Sequence, residues 1–398
     1  MLRSFRLGNH RSFRDEHELL LVPVYSKDRA VLPVSAIYGA NASGKSNLLD
    51  GLRFMATAVH DSFARWELDA GVPRQPFAWR PEGGASTFVV ELLLDGVRYT
   101  YGFELDDFAV REEWLYSYPE ARRRVLFERD GSGLQFGSTV GDRAKLDVLR
   151  NLLRPNSLFL SLAAQTAIAH VLPVYRWFTD HLHFRLGDQV RPDEQAITEF
   201  LTADPGDCGY LVELLRAADL GISGLAVIET ARPDGSPARS LYMAHGDEEV
   251  VLPFDVESAG TRSWLSLLPT VVTVLRAGGT VVIDEIDASL HPRLTAALVG
   301  LFRDVKANRG GAQLVFTTHD ASLLNPVLGD EVLTREDVWF VDKDENGASS
   351  LYALTDFKPR KEGENLERRY LGGSYGAIPD VVAEAFVSAV LRGADGAA

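Results

Sequence analysis

The sequence predicts an α/β fold with a central mostly parallel sheet, an adjoining antiparallel sheet and a compact helical insertion, and three observations carry that prediction. A glycine-rich loop, Gly39-Ala40-Asn41-Ala42-Ser43-Gly44-Lys45-Ser46, stands between the apolar run Ala30 to Tyr38 and a segment, Asn47 to Phe54, with apolar residues at helical spacing. Two more apolar runs end in chemistry: Thr280 to Ile283 leads into Asp284-Glu285, and Gln313 to Thr317 leads into His319. Short runs that are apolar throughout are the pattern of strands buried on both faces, which is how parallel sheets sit. Between these, alternating segments from Thr87 to Phe136 read as antiparallel strands, and helical spacing dominates residues 142–219.

Composition bounds the rest. A chain of 398 residues exceeds the size at which single cores stop growing, about 250–300 residues, so a main domain carrying an insertion is expected. The expected divisions are 1–141, 142–219 and 220–398. There is no apolar run long enough to span a bilayer and no apolar core of a secretion signal behind Met1, so no membrane association is expected. One cysteine, Cys208, leaves no internal disulfide and no cysteine cluster for a metal; a cytoplasmic location is expected. The net charge of −15 argues against nucleic acid wrapped over the whole surface, since Lys and Arg supply most of such affinity. Local basic groups remain at Arg3, Arg6, Arg11 and Arg14 and at Arg122-Arg123-Arg124, for which a solvated face is the plain reading.

In chain order, residues 1–23 read as two short strands joined by a turn. The glycine loop follows: two glycines five apart, then Lys and a hydroxyl residue, in a strand, loop, helix setting. That pattern binds phosphates through backbone N–H groups of the loop and of the helix N-terminus. Gly39, Asn41, Ala42, Ser43, Gly44, Lys45, Ser46 and Asn47 are the candidates here, with Lys45 reaching the β- and γ-phosphates and the Ser46 hydroxyl on Mg²⁺. Residues 67–84, rich in Pro, Gly and Arg, read as a loop. Next come Thr87 to Leu94, an Asp95-Gly96 hairpin turn, Val97 to Leu105, Ala109 to Tyr118, Val125 to Arg129 and Leu134 to Phe136. The helical stretch 142–219 shows no sustained heptads and is expected to be compact. From Ile222 strands resume, and Glu257-Ser258-Ala259-Gly260-Thr261-Arg262 opens a helix whose small residues admit an anion close to backbone N–H groups; alone, Ser258 is also an ordinary helix cap. Adjacent Asp284 and Glu285 at the end of an apolar strand are costly unless a cation or water uses them, which makes Asp284 a candidate for Mg²⁺ and Glu285 for the attacking water.

Taken in this order, the glycine loop, Ser258-Ala259-Gly260, Asp284-Glu285 and His319 resemble the motif set of the ABC ATPase superfamily, in its RecF-like and SMC-like branch. The resemblance implies an ABC-type ATPase head that uses ATP and Mg²⁺, with His319 as the residue sensing the γ-phosphate. It implies that Ser258 and Gly260 face the nucleotide held by a second copy, so the partner is the chain itself, in an ATP-dependent dimer or a higher oligomer built from dimers. It also makes Arg11 and Ser12, in the stretch Asn9-His10-Arg11-Ser12-Phe13, candidates for the base and ribose, an edge hairpin without a ligand being the alternative. Such ATPases carry a glutamine at the metal or water; Gln75 is the local candidate, within Pro73-Arg74-Gln75-Pro76 rather than after a strand. The loop Ile286 to Pro292 matches the stretch that contacts the opposite subunit. Asn156-Ser157-Leu158-Phe159-Leu160-Ser161 and Arg368 to Pro379 resemble stretches of bacterial AAA-family ATP-binding proteins, several from phage-defence loci, although core packing accounts for the first and a structural turn for the second. Two functions follow as expectations: a defence ATPase controlling an effector such as a nuclease or toxin, or a RecF-like DNA repair ATPase.

Overall fold

The computed structural model describes the chain except residues 27–28, 80–82, 139, 141–142, 167, 188–191, 205, 232–236, 247–249, 326–330, 361–363, 381, 383, 386, 388–389 and 391–398. The end from Arg392, expected to fray, lies outside the described residues.

The chain opens with β1 (Leu2–Gly8) and β2 (His17–Leu20), an antiparallel hairpin. Strand β3 (Val34–Tyr38) runs into the glycine loop and α1 (Lys45–Asp61). Then come β4 (Ser86–Leu94), β5 (Val97–Leu105), β6 (Val110–Tyr118), β7 (Arg124–Asp130) and β8 (Gly133–Phe136), which join the first hairpin in a seven-stranded antiparallel sheet of order β2-β1-β4-β5-β6-β7-β8. The Asp95-Gly96 turn links β4 to β5 as its residue types predict, with Leu94 opposite Val97.

The stretch expected to be a helical insertion holds α2 (Arg143–Leu152), α3 (Phe159–Gln165), α4 (Leu172–Asp180), α5 (Glu194–Ala203) and α6 (Gly206–Ala217). It also holds a strand, β9 (Leu182–Arg185), that pairs in parallel with a strand of the central sheet. Four residues between two helices are too few to show a period of two, which is why the strand is not legible in the sequence. A separate three-stranded sheet follows, β10 (Ile222–Ala231), β11 (Pro237–His245) and β12 (Val250–Pro253), and then the long helix α7 (Ala259–Ala277).

The remaining elements are β13 (Thr280–Ile283), α8 (Pro292–Arg303), β14 (Gln313–Thr317), β15 (Val338–Lys343), β16 (Ser349–Ala353) and the short α9 (Leu366–Leu371). The central sheet has the order β16-β15-β3-β14-β13-β9; every neighbouring pair is parallel except β15 with β16. Its inner strands β3, β14 and β13 are buried throughout. Ile37, Val282, Val315 and Val341 point into a core shared with α1, α3, α4 and the seven-stranded sheet. Val34, Ala36, Tyr38, Val281, Leu314 and Phe316 point into a second core with α5, α6, α7 and α8. Helix α1 is therefore held between two sheets by Leu48, Leu49, Leu52, Met55 and Val59, side chains worth about 1.5–3 kcal/mol each when fully buried. That burial fixes where the glycine loop stands.

Candidate functional site

Three parallel neighbours set the frame. The registers Thr317 with Ile37 and Ile283 with Phe316 bring the C-terminal ends of β3, β14 and β13 to one edge of the sheet. The glycine loop, His319 and the pair Asp284-Glu285 all emerge there. From β3 to β13 is two strand spacings, about 10 Å.

At the loop, Gly44 caps α1 with φ 114°, a left-handed conformation that side chains resist, and Ala42 is also left-handed at φ 64°. The Lys45 side chain is buried, and its Nζ donates to the carbonyls of Gly39 (2.9 Å) and Ala40 (3.1 Å). Burial lowers the Lys45 pKa, opposed by the negative charges of Asp284, Glu285 and Asp287. The Ser43 hydroxyl is buried in the loop with no hydrogen-bond partner among the described residues, whereas Asn41, Ala42 and Ser46 are exposed. An orphan hydroxyl, a buried cation and a helix N-terminus at one point make a cradle suited to phosphate.

Beside it, Thr317 organises the acids. Its hydroxyl donates to Asp284 Oδ1 (2.5 Å) and accepts from the Glu285 amide (2.7 Å), and Glu285 sits in a left-handed conformation at φ 51° with its side chain exposed. Backbone strain of this kind costs of order 1–3 kcal/mol and persists only where surroundings enforce it. Asp287 Oδ1 accepts from the Thr318 hydroxyl (2.6 Å) and from the His319 amide (3.3 Å), so the acidic loop and the histidine loop are tied together. His319 is exposed at the rim; burial and then the Lys45 charge lower its pKa, against Asp287, Glu285 and Asp284. Among the described residues no three His, Cys, Asp or Glu side chains converge as a ready metal site. Asp284 and Ser46 offer oxygen donors of the kind that Mg²⁺ takes, an ion that draws the rest of its coordination from phosphates and water.

The opening hairpin is bound to the loop through Ser12, Asn47 and Arg11 and through two residues that the sequence does not single out, Ser349 and Asp50. Asn47 Nδ2 donates to Ser12 Oγ (2.7 Å), and the Ser349 hydroxyl joins Ser12 Oγ (2.7 Å) to the Ser43 carbonyl (2.5 Å). Ser12 is thus buried inside a brace. Arg11, left-handed at φ 48°, points its Nε to within 2.7 Å of Asp50 Oδ2 on α1, and its backbone N–H donates to the Gln75 carbonyl (2.7 Å). Gln75 therefore meets the hairpin through its backbone, from a loop and not from a strand end. Asp50 also meets His10 (3.0 Å) and Arg53. Burial would raise its pKa, but the His10 and Arg53 hydrogen bonds and the Arg11 charge bring it down to about 2.

Ser258 caps α7, its Oγ accepting from the Thr261 amide (3.1 Å). A Cβ on Gly260 would lie 2.8 Å from the Ser289 carbonyl, so the start of α7 packs on the loop that follows Asp284-Glu285. Ser258 and Ala259 remain exposed, and no hydrogen bond joins Ser258 or Gly260 to the Lys45 cradle of the same chain.

A family model described as "AAA domain, putative AbiEii toxin, Type IV TA system" matches residues 34–325, a span that holds every candidate above except Arg11 and Ser12. The chain belongs to this family. It carries an AAA-type ATPase domain, in keeping with the ATPase resemblance of its motifs. Similar solved structures include an Smc head bound to the C-winged helix domain of ScpA, with TM-score 0.48 and 15% identity over 90% of this chain and 99% of that one. Another is an Smc head domain with an extended coiled coil bound to the C-terminal domain of ScpA, derived from Pyrococcus furiosus, with TM-score 0.44 and 12% identity over 90% and 97%. No curated protein matches the chain. Among the described residues no helix is long and apolar enough to cross a membrane.

Proposed function

We propose that the protein is a Mg²⁺-dependent ATP hydrolase that works as a dimer of heads and controls a partner effector, a nuclease or toxin, in anti-phage defence. The observation that carries the hydrolase reading is the placing of the Lys45 loop and of Asp284-Glu285 at the shared C-terminal end of β3, β14 and β13, beside a buried Ser43 hydroxyl. The effector reading is supported by the family description, which names a toxin of a toxin–antitoxin system. That description favours it over a RecF-like repair role.

In this reading the amides from Gly39 to Ser46 bind the phosphates, Lys45 leaves its two carbonyl partners for the β- and γ-oxygens, and Ser46 and Asp284 hold Mg²⁺. The ion, when bound, neutralises charge on those phosphates. Glu285 orients the attacking water and takes its proton. His319, whose pKa burial and the Lys45 charge lower, offers a ring N–H as donor toward the γ-phosphate. Ser258 and Gly260 serve the site of the second subunit. Binding of a fluorescent ATP analogue with Mg²⁺ tests the base of this account: Lys45→Ala loses it, whereas unchanged affinity in a folded Lys45→Ala protein contradicts the assignment.

A further inference from the structure

The connection from β6 to β7 stands at the far end of the seven-stranded sheet from the glycine loop. The pairs Gly8 with Thr87 and Leu105 with Val110 mark the loop end, and Leu94 with Val97 and Arg98 with Tyr118 mark the other. At that far end Glu120 and Ala121 are both left-handed, at φ 54° and 60°, and the turn they make presents Arg122, Arg123 and Arg124, all exposed, around a cleft of about 520 Å³. Pro119, Glu120, Val125, Gly137 and Ser138 complete its walls.

The three guanidinium groups differ in freedom. Arg123 is locked: it lies 3.9 Å over the Tyr116 ring and donates to Glu128 Oε1 (3.0 Å), which also accepts from the Tyr116 hydroxyl (2.7 Å). Arg122 and Arg124 have no carboxylate partner among the described residues. Glu120 is the one acid in the cleft wall, so the cleft is net positive on a chain of net charge −15. The sheet edge is also incomplete here. The ladder of β8 on β7 runs past Phe127 with Phe136 to a last hydrogen bond from the Gly137 amide to the Leu126 carbonyl (3.2 Å), while β6 pairs as far as Arg124, so among the described residues no strand pairs with the outer side of Arg124.

We propose that this cleft docks a short acidic peptide segment of a partner protein, its carboxylates on Arg122 and Arg124 and its backbone alongside the open edge at Arg124. Guanidinium forks match carboxylates bidentately, and short acidic motifs are read by such Arg clusters, while sheet edges accept extended peptides. A nucleic acid draws its affinity from many regularly spaced phosphates. Here the next cation along the sheet end, Arg98, is already engaged by Glu91 at 3.3 Å and by the Tyr118 ring at 4.0 Å. The cleft is compact rather than a basic track. Docking at this place is separate from the ATPase reading and stands whether or not ATP is hydrolysed.

Fluorescence anisotropy of the full chain with a labelled poly-aspartate peptide and, in parallel, a labelled single-stranded DNA tests it at near-physiological salt. The peptide binds the wild type, weakens as salt rises, and loses about tenfold in affinity for each of Arg122→Ala and Arg124→Ala. Both side chains are exposed, so the double variant keeps its unfolding temperature, and Arg65→Ala, an exposed control elsewhere, binds as wild type does. Absence of peptide binding, or affinity unchanged in the double variant, overturns the proposal. Tighter binding of the DNA that is lost with the same two arginines overturns it in favour of a nucleic-acid site.

Discussion

At the scale of single residues, the chemistry-bearing side chains are legible in the sequence and the ones that hold them are not. Lys45, Asp284, Glu285 and His319 announce themselves by motif and by their place after apolar runs. Thr317, Asp287 and Ser349 do not, because each acts across strands: the Ser349 hydroxyl reaches the Ser43 carbonyl over 306 positions of chain. Thr317 reads from sequence as one more β-branched strand residue, yet its one hydroxyl serves Asp284 and Glu285 together. Thr317→Val keeps the shape and removes that hydroxyl, so the Mg²⁺ requirement of the ATPase, read from a metal titration of the rate, should rise about 10–100-fold. An unchanged titration would mean that Asp284 needs no such support. Asp50 offers a test of the brace behind the loop. Its folded pKa of about 2 lies below the ordinary 3.8, so its stabilising contribution is complete above pH 3.8 and is lost as pH falls toward 2. Chemical denaturation across that window should show a shallower acid loss in Asp50→Asn, which is also less stable than wild type at neutral pH.

At the scale of elements, β3, the loop and α1 are predicted in place because strand burial and helical spacing are local signals. Helix α1 starts at Lys45, within the motif itself. Two stretches without assigned chemistry gain a structural account. Around Asn156 to Ser161, the buried Glu113 carboxylate accepts from the amides of Phe159 (2.6 Å) and Leu160 (2.9 Å), and Asn156 Nδ2 donates to the Glu67 (2.8 Å) and Gly71 (3.1 Å) carbonyls. The stretch therefore fastens α3 to β6 and to the chain beyond α1. In the tail, the Tyr370 ring packs 5.3 Å from Tyr38 and stacks 5.6 Å from Phe340, and the Tyr38 hydroxyl donates to the Asp320 carbonyl (3.1 Å). It backs the strand that leads into the loop and the residue after His319 at once. In the proposed dimer the start of α7 is the element that serves the second subunit. Ser258→Arg places a bulky cation at that helix N-terminus, where small residues and a positive dipole favour anions. ATP binding to one subunit should then persist while ATP-dependent dimerisation, followed by light scattering, is lost; dimerisation as in wild type would remove Ser258 from the interface.

At the scale of the whole molecule, the sequence shows which segments belong to which layer but not how the layers interlock. The central sheet draws β9 from within the stretch read as a helical insertion, and the first hairpin is stapled to β16 through Ser12 and Ser349. Both depend on long-range adjacency, which periodicity does not encode. The arrangement nonetheless has one purpose that unites residue, element and fold: it sets a cation, two acids and a histidine at the shared end of three parallel strands. The most direct test is a paired measurement on Glu285→Gln, with Mg²⁺·ATP affinity and single-turnover hydrolysis read on the same preparation. The account predicts affinity close to wild type with hydrolysis slower by about 10²–10⁴-fold, the usual loss for a positioned base. Hydrolysis at the wild-type rate in a Glu285→Gln protein that binds ATP normally would contradict it.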